Sequence, residues 1–226
     1  RDVYNSTVSD LGSYVTTRNP AYQNTLGVDI DRLVPNTPLP NGATSARLRV
    51  RGTSGDVNYQ GVVTLVTEVF VPNLVTSLVK SSGDVNGNTL VPGEQLLYTI
   101  TSTNTGNDGA ASNVLTDPIP ANTTYVPGSL VINSGANAGA KTDAAGDDQA
   151  EFLTGPNRVV FRLGTGANAG SGGLILPTQS FSVSFRVTVN AGTPDAPVIS
   201  NQAQLNYNGQ ALGTPVVAQS DGDAGT

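Results

Sequence analysis

The sequence predicts an all-β protein, and three observations carry that prediction. Apolar and polar residues alternate with period two over long stretches, the pattern of strands with one buried and one wet face. The polar remainder is rich in Thr, Ser, Asn and Gly, with Gly 26 and Pro 14 in 226 residues, so strand formers are punctuated by turn formers. Every window long enough for a helix is interrupted by Gly, Pro or Asn.

The elements follow in order. Before Val71-Pro72-Asn73, strands are expected near Ser13–Thr17, Leu26–Val34, Ser45–Arg51 and Val62–Val71. After it they are expected near Leu74–Lys80, Glu94–Asn104, Asn113–Asp117, Thr123–Val131, Arg158–Leu163, Gln179–Asn190 and Val198–Tyr207. The clearest is Phe181, Val183, Phe185, Val187 and Val189, alternating with Ser182, Ser184, Arg186, Thr188 and Asn190. Leu96, Tyr98 and Ile100 repeat the pattern, as do Ile199, Ala203, Leu205 and Tyr207. Pro118 and Pro120 stop the strand that holds Asp117, because proline gives no ladder hydrogen bond. Seven strands in roughly 140 residues suit an immunoglobulin-like sandwich. The expected organisation is tandem modules: residues 1–72, a β module incomplete alone, and residues 73–226, a full sandwich with a C-terminal tail. Ala46–Val50 and Arg158–Leu163 each precede a Gly-containing turn and a long apolar strand, a weak internal echo. Ser134–Gln149 and Gly164–Gly173 read as long loops.

Composition excludes much chemistry. The chain has no Cys, Met, His or Trp. It can build neither a Ser-His-Asp nor a Cys-His arrangement, no Cys/His metal site and no disulfide. Charged residues are 12%, with a net charge of −6, and no basic stripe points to nucleic acid. No apolar run approaches the ~20 residues of a membrane-spanning helix. Without Met the chain does not begin at its own start codon, and it reads as a processed product or a piece of something longer.

Four constellations remain. The first is an intramolecular isopeptide bond, which needs a lysine, an asparagine and a carboxylic acid together in an apolar core. Lys80 shares parity with Leu74 and Leu78, Asp117 with Leu115, and Asn201 with Ile199, Ala203 and Leu205, so all three are placed inward. Only Lys80 and Lys141 represent lysine. The plainer reading has Lys80 reaching solvent at a strand end and Asp117 capping a turn. The second is calcium at Asp84, Asn86 and Asn88, with oxygen side chains at alternate positions. Thr89 and Gln95 stand where an EF-hand loop needs Gly and Glu. Asp29 and Asp31, Asp143, Asp147 and Asp148, and Asp221 and Asp223 are further acidic spots. The third is a pair of catalytic carboxylates. Only Glu68, Glu94 and Glu151 exist, none in a suggestive context, and an enzyme is not expected. The fourth is N-glycosylation at Asn5 and Asn122, each in an Asn-x-Thr triplet.

Residues 74–207 carry recognisable text. Leu97-Tyr98-Thr99-Ile100-Thr101 followed by Asn104-Thr105-Gly106 resembles the core of the DUF11 repeat. So do Thr116-Asp117-Pro118-Ile119-Pro120, Thr124-Tyr125-Val126-Pro127-Gly128-Ser129 and Ile199-Ser200-Asn201-Gln202-Ala203. Asp84-Val85-Asn86-Gly87 and Pro92-Gly93-Glu94 fit the family's opening turn. The resemblance implies an immunoglobulin-like module of a large bacterial or archaeal surface protein, structural or adhesive. Related fimbrial domains place Lys, Asp and Asn at positions comparable to Lys80, Asp117 and Asn201. The expected function is therefore a non-enzymatic stalk, or a subunit of a filament or surface layer. It would sit outside the cell, with copies of itself or neighbouring modules as partners. The alternative is an adhesin using the loops Ser134–Gln149 and Gly164–Gly173.

Overall fold

A computed structural model describes residues 5–37, 39, 43–49, 59–67, 69–87, 89–194 and 198–220. The chain divides into two compact units, residues 1–67 and 68–226. Among the described residues the regular structure is β apart from one turn of 3₁₀ helix at Val75–Ser77.

The first unit holds a three-stranded sheet of β1 (Val8–Asp10), β2 (Ser13–Tyr14) and β3 (Ile30–Arg32). β1 pairs antiparallel with β2 and parallel with β3. Carboxylates tie it together. Asp29 Oδ1 accepts the backbone N–H of Asn5 and of Thr7, Asp31 accepts the Ser9 hydroxyl, and Arg32 pairs with Asp10. Among the described residues, 45–49 and 60–67 are irregular and mostly exposed. The strands expected at Ser45–Arg51 and Val62–Val71 therefore do not appear there, and residues 50–51 lie outside the described residues. Val62, Val66 and Val69 have strand propensity, but a strand also needs a neighbour for its backbone groups. No described residue forms a ladder with 60–67.

The second unit is a two-sheet sandwich. One sheet runs β10 (Ala150–Leu153), β11 (Arg158–Arg162), β6 (Ala110–Pro118), β13 (Gln204–Gly209) and β14 (Pro215–Gln219). The other runs β4 (Val79–Asp84), β5 (Gln95–Thr103), β12 (Ser180–Val189), β8 (Val131–Ser134) and β9 (Gly139–Ala140). β7 (Thr123–Tyr125) also pairs with β12. All these pairings are antiparallel. The expected alternation is realised. Leu96, Tyr98 and Ile100 of β5 and Phe181, Val183, Phe185, Val187 and Val189 of β12 face one core with Leu115, Val159, Phe161, Leu205 and Tyr207.

Two local features set the inward register. β6 carries a bulge. Ser112 has φ 58°, and the pairing shifts from Asn206↔Val114 to Asn208↔Ala111. The extra residue resets parity, so Ala110 and the later Asn113, Leu115 and Asp117 all point inward. β6 then stops at Pro118, as the prolines require. The 3₁₀ turn buries Leu74 and Leu78 and delivers β4 with Lys80 facing the core.

Candidate functional site: a buried lysine–aspartate–asparagine cluster

Lys80 comes from β4 in one sheet and Asp117 from the end of β6 in the other. Asn201 lies just before β13, which pairs with β6 through Gln204↔Thr116. The register thus carries Asn201 back along the strand toward Asp117. All three are buried: Lys80 3%, Asp117 1% and Asn201 4% exposed. Parity places each of them inside, but only the fold brings β4, the end of β6 and the approach to β13 together.

The Lys80 stem crosses the core. Its Nζ donates to Asp117 Oδ1 at 2.9 Å and Oδ2 at 2.7 Å. It also lies 4.4 Å from the centroid of the Tyr98 ring and 5.8 Å from that of Phe185. The two rings sit 5.4 Å apart. These aromatics exclude water from the amine and stabilise its cationic form. They were legible as strand residues, and nothing in the sequence marked them as neighbours of Lys80.

Burial pushes the Asp117 carboxyl up to about 6, against the lowering effects of Lys80 and, more weakly, the Asn201 amide. Asn201 Nδ2 and Oδ1 are both buried without a well-formed hydrogen bond. A buried amide left this way costs about 1–3 kcal/mol, and such an orphan calls for an explanation. The arrangement supplies the groups for one reaction. In it Asp117 would take a proton from the Lys80 ammonium, and the neutral amine would attack the Asn201 side-chain carbonyl. The acid would pass that proton to the departing nitrogen and take up the second proton that the Lys80 nitrogen sheds as it becomes an amide. One C–N bond would form, one would break, one ammonia would leave, and Asp117 would end neutral.

The other expected sites are less assembled. Asp84 Oδ1 accepts the Asn86 backbone N–H at 2.9 Å, an Asx turn, and Asn86 Nδ2 donates to Glu94. Asn88 lies outside the described residues, as do Glu68, Asp221 and Asp223. Asp143 accepts from the Tyr125 hydroxyl and the Gly128 N–H, and Asp147 and Asp148 accept from Thr142. Among the described residues no three acidic side chains converge. Glu94 accepts the Val91 N–H, and Glu151 pairs with Arg162. Asn5 and Asn122 are both exposed.

The structure adds a clamp that sequence reasoning read only as a turn. Asn104 Nδ2 donates to the carbonyls of Asp108 and Ile175, and its Oδ1 accepts the N–H of Asn73 and Gly106. Asn107 grips the same incoming segment, accepting from Val71 N–H and donating to Val69 O. A Cβ on Gly106 would lie 2.1 Å from Val71 O, so only glycine admits this approach. The "NTG" text was the available signal.

No family model and no curated protein matches the sequence. Among solved structures the chain is similar to domains D2 and D3 of the major pilin SpaD from Corynebacterium diphtheriae. The TM-score is 0.46 at 13% identity, covering 64% of this chain and 50% of that one. The chain thus spans about half the length of that pilin fragment. It is also similar to a collagen-binding domain from a Staphylococcus aureus adhesin (TM-score 0.38, 12% identity, 69% and 99% coverage). A third is AvmM, which catalyses macrocyclization in alchivemycin A biosynthesis (TM-score 0.38, 12% identity, 65% and 87% coverage).

Proposed function

We propose that the chain is a non-enzymatic structural module of an extracellular or cell-surface protein, of the DUF11 kind, whose second unit is stapled by a Lys80–Asn201 isopeptide bond. The carrying observation is the fully buried Lys80–Asp117 pair together with a buried asparagine whose amide makes no well-formed hydrogen bond. A charge pair buried this deeply is a poor source of stability, so its retention asks for a chemical role. The reaction happens once per molecule and turns over no substrate. The partners of such a module are copies of itself or neighbouring modules in a stalk, filament or layer. Intact mass tests the reading: the folded protein should be one ammonia lighter than its sequence, and Asn201→Ala should have its full mass. A full-mass wild-type protein removes the staple.

A second reading, adhesion, is favoured by one observation. Both long loops border a cleft of about 400 Å³, with Gly135 and Ala136 on one side and Gly164 and Thr165 on the other, floored by Phe181. Filling it with Ala136→Tyr should abolish any glycan or protein binding detected for the wild type. Unchanged binding would remove the cleft from consideration.

A further inference from the structure

The place of the staple divides the second unit mechanically. Lys80 lies in its first strand, but Asn201 precedes the last two, so β13 and β14 lie outside the closed covalent loop. The chain leaves β14 at Ser220, directly beside the staple. Ser220 N–H donates to Ala203 O at 2.9 Å, Ala203 N–H donates to Ser220 Oγ at 3.0 Å, and Gln202 Nε2 donates to Ser220 O at 2.8 Å. Tension applied beyond Ser220 therefore reaches residues 201–203 through this clasp. Once the clasp opens, the β13–β14 ladder is loaded at its open end, Gln204↔Gln219, and parts one pair at a time toward Asn208↔Pro215.

We propose that the β13–β14 hairpin is a force-released tether built onto a stapled, inextensible body; this rests on the cross-link proposed above. Release has two stages because the two strands are held differently. In β14 only Ala218 is buried, so little apolar contact resists peeling. The turn is latched further in: the buried Asp108 accepts Ala211 N–H at 2.9 Å through Oδ2 and Gly109 N–H at 2.9 Å through Oδ1. Beyond that latch, β13 lies between two strands and anchors the core through Leu205 and Tyr207. The first stage frees residues 212–220, about 30 Å of chain, and the second frees 202–211, about 35 Å more, at the extended length per residue. Without the staple, residues 74–220 would extend by about 500 Å.

Single-molecule pulling of the full chain, held by peptide tags at both ends, tests this. Residues 1–67 extend in every variant and cancel in comparisons. The lock is Gln204→Cys with Gln219→Cys, a directly paired couple in a chain with no other cysteine. Wild type should extend by about 65 Å from the hairpin and by up to about 20 Å from residues 74–79, which precede Lys80, and then hold. The oxidised lock should extend about 50 Å less than wild type, and reduction should restore the difference. Asn201→Ala should give the full extension. Asp108→Ala should lower the force of the second stage and leave the first. If the mass shows the lost ammonia but oxidised and reduced lock extend equally, the hairpin is not the tether. If the mass shows no lost ammonia and wild type extends like Asn201→Ala, the cross-link itself is absent and the tether boundary with it.

Discussion

Asn201→Ala should cost the folded protein about 5 kcal/mol, and that cost measures the staple and little else. Joining residues 80 and 201 closes a loop of about 120 residues, for which the chain-entropy relation gives about 5 kcal/mol at 25 °C. The substitution itself takes almost nothing from the native structure. Neither amide atom of Asn201 has a well-formed hydrogen bond to lose, and removing a buried orphan relieves a desolvation cost. Asp117→Ala would be a poor probe by comparison. It strands the Lys80 ammonium in the core, which is worth roughly 3–5 kcal/mol whether or not any bond forms. For a unit of this size, 5 kcal/mol corresponds to a fall in midpoint of about 10–20 °C. Calorimetry paired with intact mass on the same samples gives both readouts. A full-mass wild type whose midpoint lies within a few degrees of Asn201→Ala would refute the reasoning.

Three further predictions test the surroundings. In Asn201→Ala, which cannot cross-link, Asp117 still protonates in the folded state well above its unfolded value of 3.8, being pushed up to about 6 by burial. The folded state then holds the extra proton, so stability falls as pH rises from about 4 to 6, by about 3 kcal/mol. Urea midpoints should show this slope, and Asp117→Asn on the same background should remove it; equal slopes would discard the assignment. Gly106→Ala forces a Cβ against the Val71 carbonyl and should cost about 1–3 kcal/mol, with faster hydrogen exchange at Asn73 and Asn107. The pair Lys80→Met with Asp117→Leu should equal or exceed Asn201→Ala in stability, since apolar replacement of a buried ion pair is commonly neutral or stabilising by about 1–4 kcal/mol. Marked destabilisation by urea would mean that the charges themselves hold the fold.

The second unit was legible because its strands advertise themselves. Phe181 to Val189 alternates without a fault, and Pro118 ends β6 where proline must. Parity alone turned Lys80, Asp117 and Asn201 inward. What parity could not give was the bulge at Ser112, where a non-glycine residue takes φ 58° with no sequence signature. The short β9 was hidden inside Ser134–Gln149, a Gly/Ala/Asp-rich stretch whose composition reads as loop, and β10 is only four residues long. β14 was hidden too, because Pro215-Val216-Val217-Ala218-Gln219 is brief and lies at a sheet edge. Val62–Val71 failed in the opposite direction. Its apolar residues have the composition of a strand, yet pairing is a property of two segments and the sequence of one cannot supply the other.

The cluster also fixes the order of events. Lys80, Asp117 and Asn201 sit on elements far apart in sequence, so no local segment can assemble them before the sandwich closes. The core must therefore be stable enough to form while carrying a desolvated ion pair and an unpaired amide. Tyr98, Phe185, Leu115 and Leu205, all fully or nearly fully buried, supply that apolar drive. The proposed bond would then remove both formal charges as well as the amide's surplus donor, with ammonia departing to solvent. It would relieve the strain that folding had to tolerate, and each later unfolding would start from a closed loop instead of an open chain. Stability added in this way needs no enlargement of the core, which is consistent with a chain that has few aromatics, no disulfide and only two lysines.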